Sequence, residues 1–278
     1  MQDIPLATPG CSIRWRSADG QSSLYEGDAF AFLDSLAASS VDCIWTDPPY
    51  RLSNGGITCS SGKMVRVDKG PWDFSDGLSK DHLFNTRWIA KCYRVLKPNA
   101  TIWISGTVHV YLSVGMALLS EGFRILNDVI WEKPCPPPNL GRRCFTHSTE
   151  LLLWATKAQK GSRERYTFNY DQMCAENGGR QMRTVWRISP PGQEEKTLGR
   201  HPTQKPLALV ARCLRASTKP DDIVCDPFLG SGTAALAALG LGRRFIGCDS
   251  NAEFVSLAKV RILESQIQQS GFRNKDAR

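Results

Sequence analysis

The chain has 278 residues, 41% of them hydrophobic, enough to bury one large α/β core. Its 35 Lys and Arg against 27 Asp and Glu leave a net charge of +8, a surplus common in proteins that meet polyanions. No apolar run approaches the roughly 18 residues of a membrane span, the opening residues lack the charged-then-apolar order of a signal peptide, and ten cysteines occur without a CxxC pair. These counts argue against a membrane helix, a disulfide scaffold and a zinc site, and leave a soluble cytoplasmic protein with buried free thiols as the expectation.

In chain order, "SVDCIWTD" (40–47) reads as a buried strand ending on a carboxylate. Residues 82–98 have helical spacing at Leu83, Trp88, Ile89, Cys92, Val95 and Leu96, with Pro98 as the stop. A strand is predicted over 100–106 and a helix over 110–122, closed by Gly122. Residues 125–133 and 148–157 read as further strands. An amphipathic helix follows over 206–218, with Pro206 suited to its first turn. Then come a strand (222–228), a small-residue helix (232–242), a strand (243–249) and a last helix (251–265). Such alternation implies one doubly wound, mostly parallel α/β sheet, and the whole of 1–278 is taken as a single domain.

Two stretches break the rhythm. Residues 51–81 are rich in Gly, Ser and Asp and are expected to form a mobile loop. Residues 134–147 and 158–204, on either side of the strand at 148–157, are rich in Pro, Gly and Arg, and 134–200 reads as an inserted target-recognition segment, since long loops in compact domains are usually functional. Between Lys133 and Arg200 the bases far outnumber the acids, which suits a polyanion but also any solvated basic face.

The strongest local signal is "CDPFLGSGTAALAALGLGRRFIGCD" (225–249). Gly230, Gly232 and Ala235 satisfy G-x-G-x-x-G/A between a strand and a helix, and Asp249 closes the next strand, the arrangement that holds a nucleoside by its ribose hydroxyls. No Lys follows the glycines, so a P-loop is excluded. Asp226 would repel a pyrophosphate but suits a cationic or amino-bearing ligand. S-adenosyl-L-methionine is such a ligand, with a ribose for Asp249 and ammonium and sulfonium charges.

"DPPY" (47–50) upstream, "HPTQKP" (201–206) and "DPFLGSGT" (226–233) downstream resemble the amino-methylating DNA methyltransferases, in the permuted motif order of their β group. The resemblance spans about residues 24 to 265. More narrowly, "DPPYRLSNGGITCSSGKMVRVDKGPWD", "WISGTVHVYLSVGMAL" and "PNLGRRCFTHSTE" look like the adenine methylase of DpnII-type restriction systems, which reads GATC and also accepts single-stranded DNA. It implies a Rossmann-like methyltransferase sheet with inserted DNA-reading loops, a bacterial or phage source, and commonly a homodimer.

The resemblance also gives roles. Asp47 and the Pro48 carbonyl would accept the two N–H groups of an exocyclic amine, localising its lone pair, with Pro48 and Pro49 holding the acceptors rigid. Tyr50 would stack on an extruded base. Asp28 would contact the cofactor adenine, or cap the following helix. Thr203 and Lys205 would meet the methionine carboxylate; Phe228 would pack near the cofactor or in the core; Asp226, Gly230, Gly232, Thr233 and Asp249 complete the cofactor site. For DNA the candidates are Lys63, Arg66, Lys69, Asn139, Arg142, Arg143, Arg180 and Arg183. Cytosine N4 is the alternative target, although that group more often has Ser at the position of Asp47. An RNA or protein methyltransferase, which would tend toward Asn there, and a non-catalytic DNA-binding protein are further rivals. A nicotinamide dehydrogenase would leave "DPPY" unexplained.

Overall fold

The computed structural model describes residues 10–53, 57–60, 63–66, 70, 73–158 and 165–273. An antiparallel pair, β1 (Cys11–Arg16) and β2 (Ser23–Gly27), leads to α1 (Ala29–Ser35) and β3 (Val41–Thr46). A small ribbon of β4 (Ile57–Ser60) and β5 (Lys63–Arg66) precedes α2 (Leu78–Val95), β6 (Leu96–Gly106), α3 (Val108–Ser120) and β7 (Arg124–Glu132). After them come β8 (Thr149–Thr156), α4 (Tyr170–Glu176), β9 (Val185–Arg187), α5 (Leu207–Ser217), β10 (Ile223–Asp226), α6 (Thr233–Gly240), β11 (Arg244–Asp249) and α7 (Ala252–Arg273).

Nine strands form one sheet in the order β1-β2-β11-β10-β3-β6-β8-β7-β9. Neighbours from β2 to β6 are all parallel, whereas β8 runs antiparallel to both β6 and β7. Both faces are covered, which is why the central strands read as nearly continuous apolar runs. Side chains alternate between the faces. Ile44, Ile102 and Ile104 pack with Phe32, Trp88, Ile89 and Leu118 of α1, α2 and α3. Cys43, Trp45 and Trp103 pack with Leu209, Val210, Ala234, Ala235, Val255 and Ala258 of α5, α6 and α7. Trp103 and Trp154, partners across β6 and β8, stack with centroids 5.0 Å apart. Each large apolar side chain so buried contributes about 1.5–3 kcal/mol over exposure.

Several expected boundaries move. Helix α2 begins at Leu78, inside the stretch expected as loop, and ends at Val95. Lys97 precedes Pro98 and is sterically pushed out of the helical region, so the chain goes directly into β6 at Leu96. Pro206 sits at the N-cap of α5 rather than in its first turn. Helix α7 runs past 265 to Arg273. Residues 134–200 are not one insertion, because β8 and β9 within them belong to the main sheet. What projects from the sheet is a loop over 133–148, closed by Lys133 N–H donating to Ser148 O (2.8 Å). The loop after β3 is also pinned at its base: Ser53 Oγ donates to Asp73 Oδ2 (2.8 Å) and Arg51 Nη1 to Phe74 O (2.7 Å).

Helix α3 contains no Asp, Glu, Lys or Arg, and its outer stripe of Val108, Leu112, Met116 and Leu119 is at least 50% exposed. No helix among the described residues is long and apolar enough to cross a membrane.

Candidate active site

Four acidic residues stand at the carboxyl ends of four adjacent parallel strands: Asp28 just after β2, Asp249 on β11, Asp226 on β10 and Asp47 just after β3. From β10 the chain winds through α6 to β11 on one side, and from β3 through α2 to β6 on the other. The winding therefore reverses between Asp226 and Asp47, the place where open α/β sheets take ligands. A cavity of about 280 Å³ opens there, and all four acids line it.

The glycine loop forms the floor on the Asp249 side. Gly230 (φ +50°) takes the left-handed turn, and its N–H donates to Asp249 Oδ2 (2.8 Å). Asn251 N–H donates to the other oxygen (2.9 Å). A carboxylate has about four acceptor sites, so Asp249 keeps capacity for a diol. Gly232 (φ +74°) does not line the cavity; a Cβ there would meet the Ala258 Cβ at 2.5 Å, so its role is to let α7 approach. Thr233 lines the cavity, and its Oγ1 accepts from Arg261 Nη1 (3.2 Å). The same nitrogen donates to Ser231 O (2.6 Å), fixing the loop from below.

Asp226 is almost fully buried; Thr46 Oγ1 (2.8 Å) and Phe228 N–H (3.0 Å) both donate to its Oδ1. Burial pushes its carboxyl up to about 7, with Asp47 and Asp249 adding to the effect against those two hydrogen bonds. Burial likewise raises Asp249. An acid in this state accommodates a nearby cation and resists a nearby phosphate. Asp28 and Phe228 each satisfy both of their readings. Asp28 Oδ1 caps α1 through Phe30 and Ala31 N–H (3.0 Å each) and still lines the cavity. Phe228 packs edge-on to Trp88 (5.6 Å) and lines the cavity too.

The "DPPY" turn leaves β3 with Pro48, Pro49, Asp47 and Tyr50 all on the cavity wall. Tyr50 is buried, and its hydroxyl donates to Asp47 Oδ1 (2.6 Å). With that proton committed, Ser105 Oγ donates to Tyr50 Oη (2.9 Å). Burial, and then Asp47 and Glu150, hold the phenol well above its ordinary range, so it stays a neutral donor. Lys205 lines the cavity with Thr203, but its ammonium lies against Asp47 Oδ2 and 3.5 Å from Glu150 Oε2. It also sits 5.3 Å from the Tyr50 ring centroid. Burial works against its charge, and Asp47 and Glu150 outweigh that, leaving it raised.

No sequence pattern marks Glu150, Ser105 or Arg261 as part of the site. Glu150 sits one residue into β8, opposite Trp131 of β7, and meets the site through Tyr50 Oη and the Lys205 ammonium. His201 was also passed over beside Thr203; it lines the cavity with its ring against Phe254 (4.3 Å).

The basic candidates scatter. Lys63 and Arg66 end β5, and Lys69 lies outside the described residues. Arg142 and Arg143 are exposed on the 133–148 loop, which leaves the carboxyl end of β7 beside the site. Asn139 is spent inside that loop, accepting from Gly141 N–H (3.0 Å) and donating to Cys144 O (3.0 Å). Arg180 and Arg183 are exposed ahead of the amino end of β9.

Residues 41–260 match the N6_N4_Mtase family model, described as DNA methylase. The chain is 51% identical over 239 residues to the Type II methyltransferase M2.DpnII of Streptococcus pneumoniae, covering 86% of this chain and 88% of the relative. It is 50% identical over 239 residues, at the same coverage, to the Type II methyltransferase M2.LlaDCHI of Lactococcus lactis subsp. cremoris. Among solved structures, the M1.HpyAVI–SAM complex is 29% identical with a TM-score of 0.64, covering 86% of this chain and 98% of that one.

Proposed function

The chain belongs to the N6_N4 DNA methylase family, and from that premise we propose that it methylates adenine N6 in DNA, at GATC, in duplex and in single strands, with S-adenosyl-L-methionine as donor. The observation that carries this reading is the shared cavity: the Asp47–Pro48 acceptor pair and the Asp249–Gly230 loop face one space across the winding reversal.

That space fits the cofactor by its chemistry. Asp249 has acceptor capacity for ribose hydroxyls, Asp28 stands beside it for the adenine, and Asp226 offers a carboxylate to a cation. When bound, S-adenosyl-L-methionine supplies a methyl group activated by the sulfonium charge. The chain does the rest by placement. Asp47 and the Pro48 carbonyl accept the amine N–H groups, and a pre-set pair of acceptors needs no reorganisation as charge develops. We assign to Tyr50 the orientation of Asp47, because its hydroxyl is bonded there and its ring carries Lys205. Among the described residues no thiol lines the cavity, and burial pushes the nearby Cys43 up to about 12, far from a thiolate nucleophile.

The test is to incubate the protein and cofactor with duplex and single-stranded GATC DNA and to identify methylated nucleosides by mass spectrometry. N6-methyladenine confined to GATC is expected. N4-methylcytosine would overturn the base assignment, and methylation of scrambled sites equal to GATC would overturn the sequence.

We assign phosphate contacts to Arg142 and Arg143, given their exposure beside the site. Replacing both by Ala is expected to flatten the slope of log affinity against log salt by about two units; an unchanged slope places the DNA elsewhere. We also infer a homodimer through the α3 stripe. A self-complementary contact needs no charge match, and this uncharged face lets two copies of a +8 chain approach. A monomer in sedimentation at micromolar concentration would refute that.

A further inference from the structure

We propose that Glu150, acting through Lys205, is a positioning residue for Asp47. This inference rests on the reading that Asp47 accepts a hydrogen bond from the target amine.

Glu150 does not line the cavity, so it acts on the chemistry only through its neighbours. Its side chain is 14% exposed and both oxygens are engaged. Oε1 takes the Lys133 ammonium at 2.5 Å. Oε2 lies 3.5 Å from Lys205 Nζ and 3.4 Å from Tyr50 Oη. Asp47 and Glu150 against Lys205 and Lys133 make a charge-balanced quartet, in which Lys205 is the most enclosed, at 5%. A buried ammonium demands full compensation. Were Asp47 its sole counter-ion, the ammonium would draw on the lone pairs that the amine needs. Sharing it with Glu150 leaves Asp47 with charge to spare. Burial alone would raise Glu150, yet Lys205 and Lys133 outweigh that and hold it below the usual range, so the second counter-charge is present at neutral pH.

The near-isosteric Glu150→Gln removes that counter-charge and leaves the quartet with one excess positive charge. Single-turnover methyl transfer is expected to slow by about tenfold or more, with the affinities for DNA and for S-adenosyl-L-methionine held within about twofold of wild type. Adding Lys133→Met to Glu150→Gln restores charge balance and is expected to recover part of the lost rate, an effect that a purely structural role would not show. Glu150→Asp, which keeps the charge, is expected to fall between wild type and Glu150→Gln, and it carries the test if Glu150→Gln melts below the assay temperature. A wild-type rate for Glu150→Gln, or no recovery in the double variant, overturns the proposal. Failure of the wild-type protein to methylate any DNA would instead overturn the functional reading beneath it.

Discussion

Replacing Asp47 by Ala is expected to lower the rate of methyl transfer by at least about 10²–10³-fold, the scale of losing one pre-set electrostatic partner in a dry site. On the proposed mechanism the side chain is one half of the acceptor pair, and its orientation is fixed by Tyr50 Oη at 2.6 Å and by Lys205. Asp47→Asn keeps the shape but turns one acceptor into a donor aimed at the substrate N–H, so it is expected to be nearly as slow. Cofactor binding, followed by calorimetry, is expected to survive both changes. Loss of cofactor affinity in parallel with rate would make Asp47 a binding residue and remove it from the chemistry. Transfer by either variant at more than about a tenth of the wild-type rate would be equally damaging.

Asp226 is expected to make both stability and cofactor affinity depend on pH. Its folded carboxyl is raised to about 7, whereas the ordinary value is 3.8. Between those values the folded state keeps a proton that the unfolded chain has lost. The contribution to stability therefore declines as pH climbs from about 4 to about 7 and stays lost above that, on the order of a few kcal/mol. A cation in the cavity favours the ionised form. Binding of S-adenosyl-L-methionine near pH 6.5 is thus expected to release protons, and affinity is expected to rise from pH 6 to pH 8. Calorimetry in two buffers of different ionisation heat measures the release directly. Asp226→Asn retains an acceptor for Thr46 and Phe228 and discards the buried charge. It is expected to melt higher than wild type at pH 8, to match it more closely at pH 5, and to bind the cofactor more weakly. A lower melting temperature at pH 8 with no proton release would show that burial does not govern this carboxyl.

Much of this was legible in the sequence for identifiable reasons. Buried parallel strands carry continuous apolar runs, so β3, β10 and β11 and the acids that end them announce themselves over a few residues. The glycine loop is legible because Gly230 needs a left-handed turn and Gly232 must clear Ala258. The hairpin of β1 and β2 was missed because these strands are short and interrupted by "SADGQS", with no clear period. β9 is three residues long and exists only because β7 offers an edge. Glu150 was illegible in another way: "STELLLWATK" reads as a strand with one acid near its start, and only the folded sheet brings that acid to Tyr50 and Lys205. Lys205 was read as free for a ligand carboxylate, while the fold gives it two carboxylates of its own.

The four strand-end acids set a sieve on charge. The molecule is positive as a whole, but the lip of its sheet is the reverse, with Asp28, Asp249, Asp226 and Asp47 side by side. A phosphodiester laid along that lip would face carboxyl oxygens at each strand, while Lys205 is already matched by Asp47 and Glu150. Cations are drawn in, and an uncharged heterocycle is indifferent to the row. On the proposed reading, nucleic acid would rest its backbone on the outlying Arg142 and Arg143 and send only a base over the threshold. On that reading, the partition that selects the cofactor also asks its target to arrive alone and unstacked.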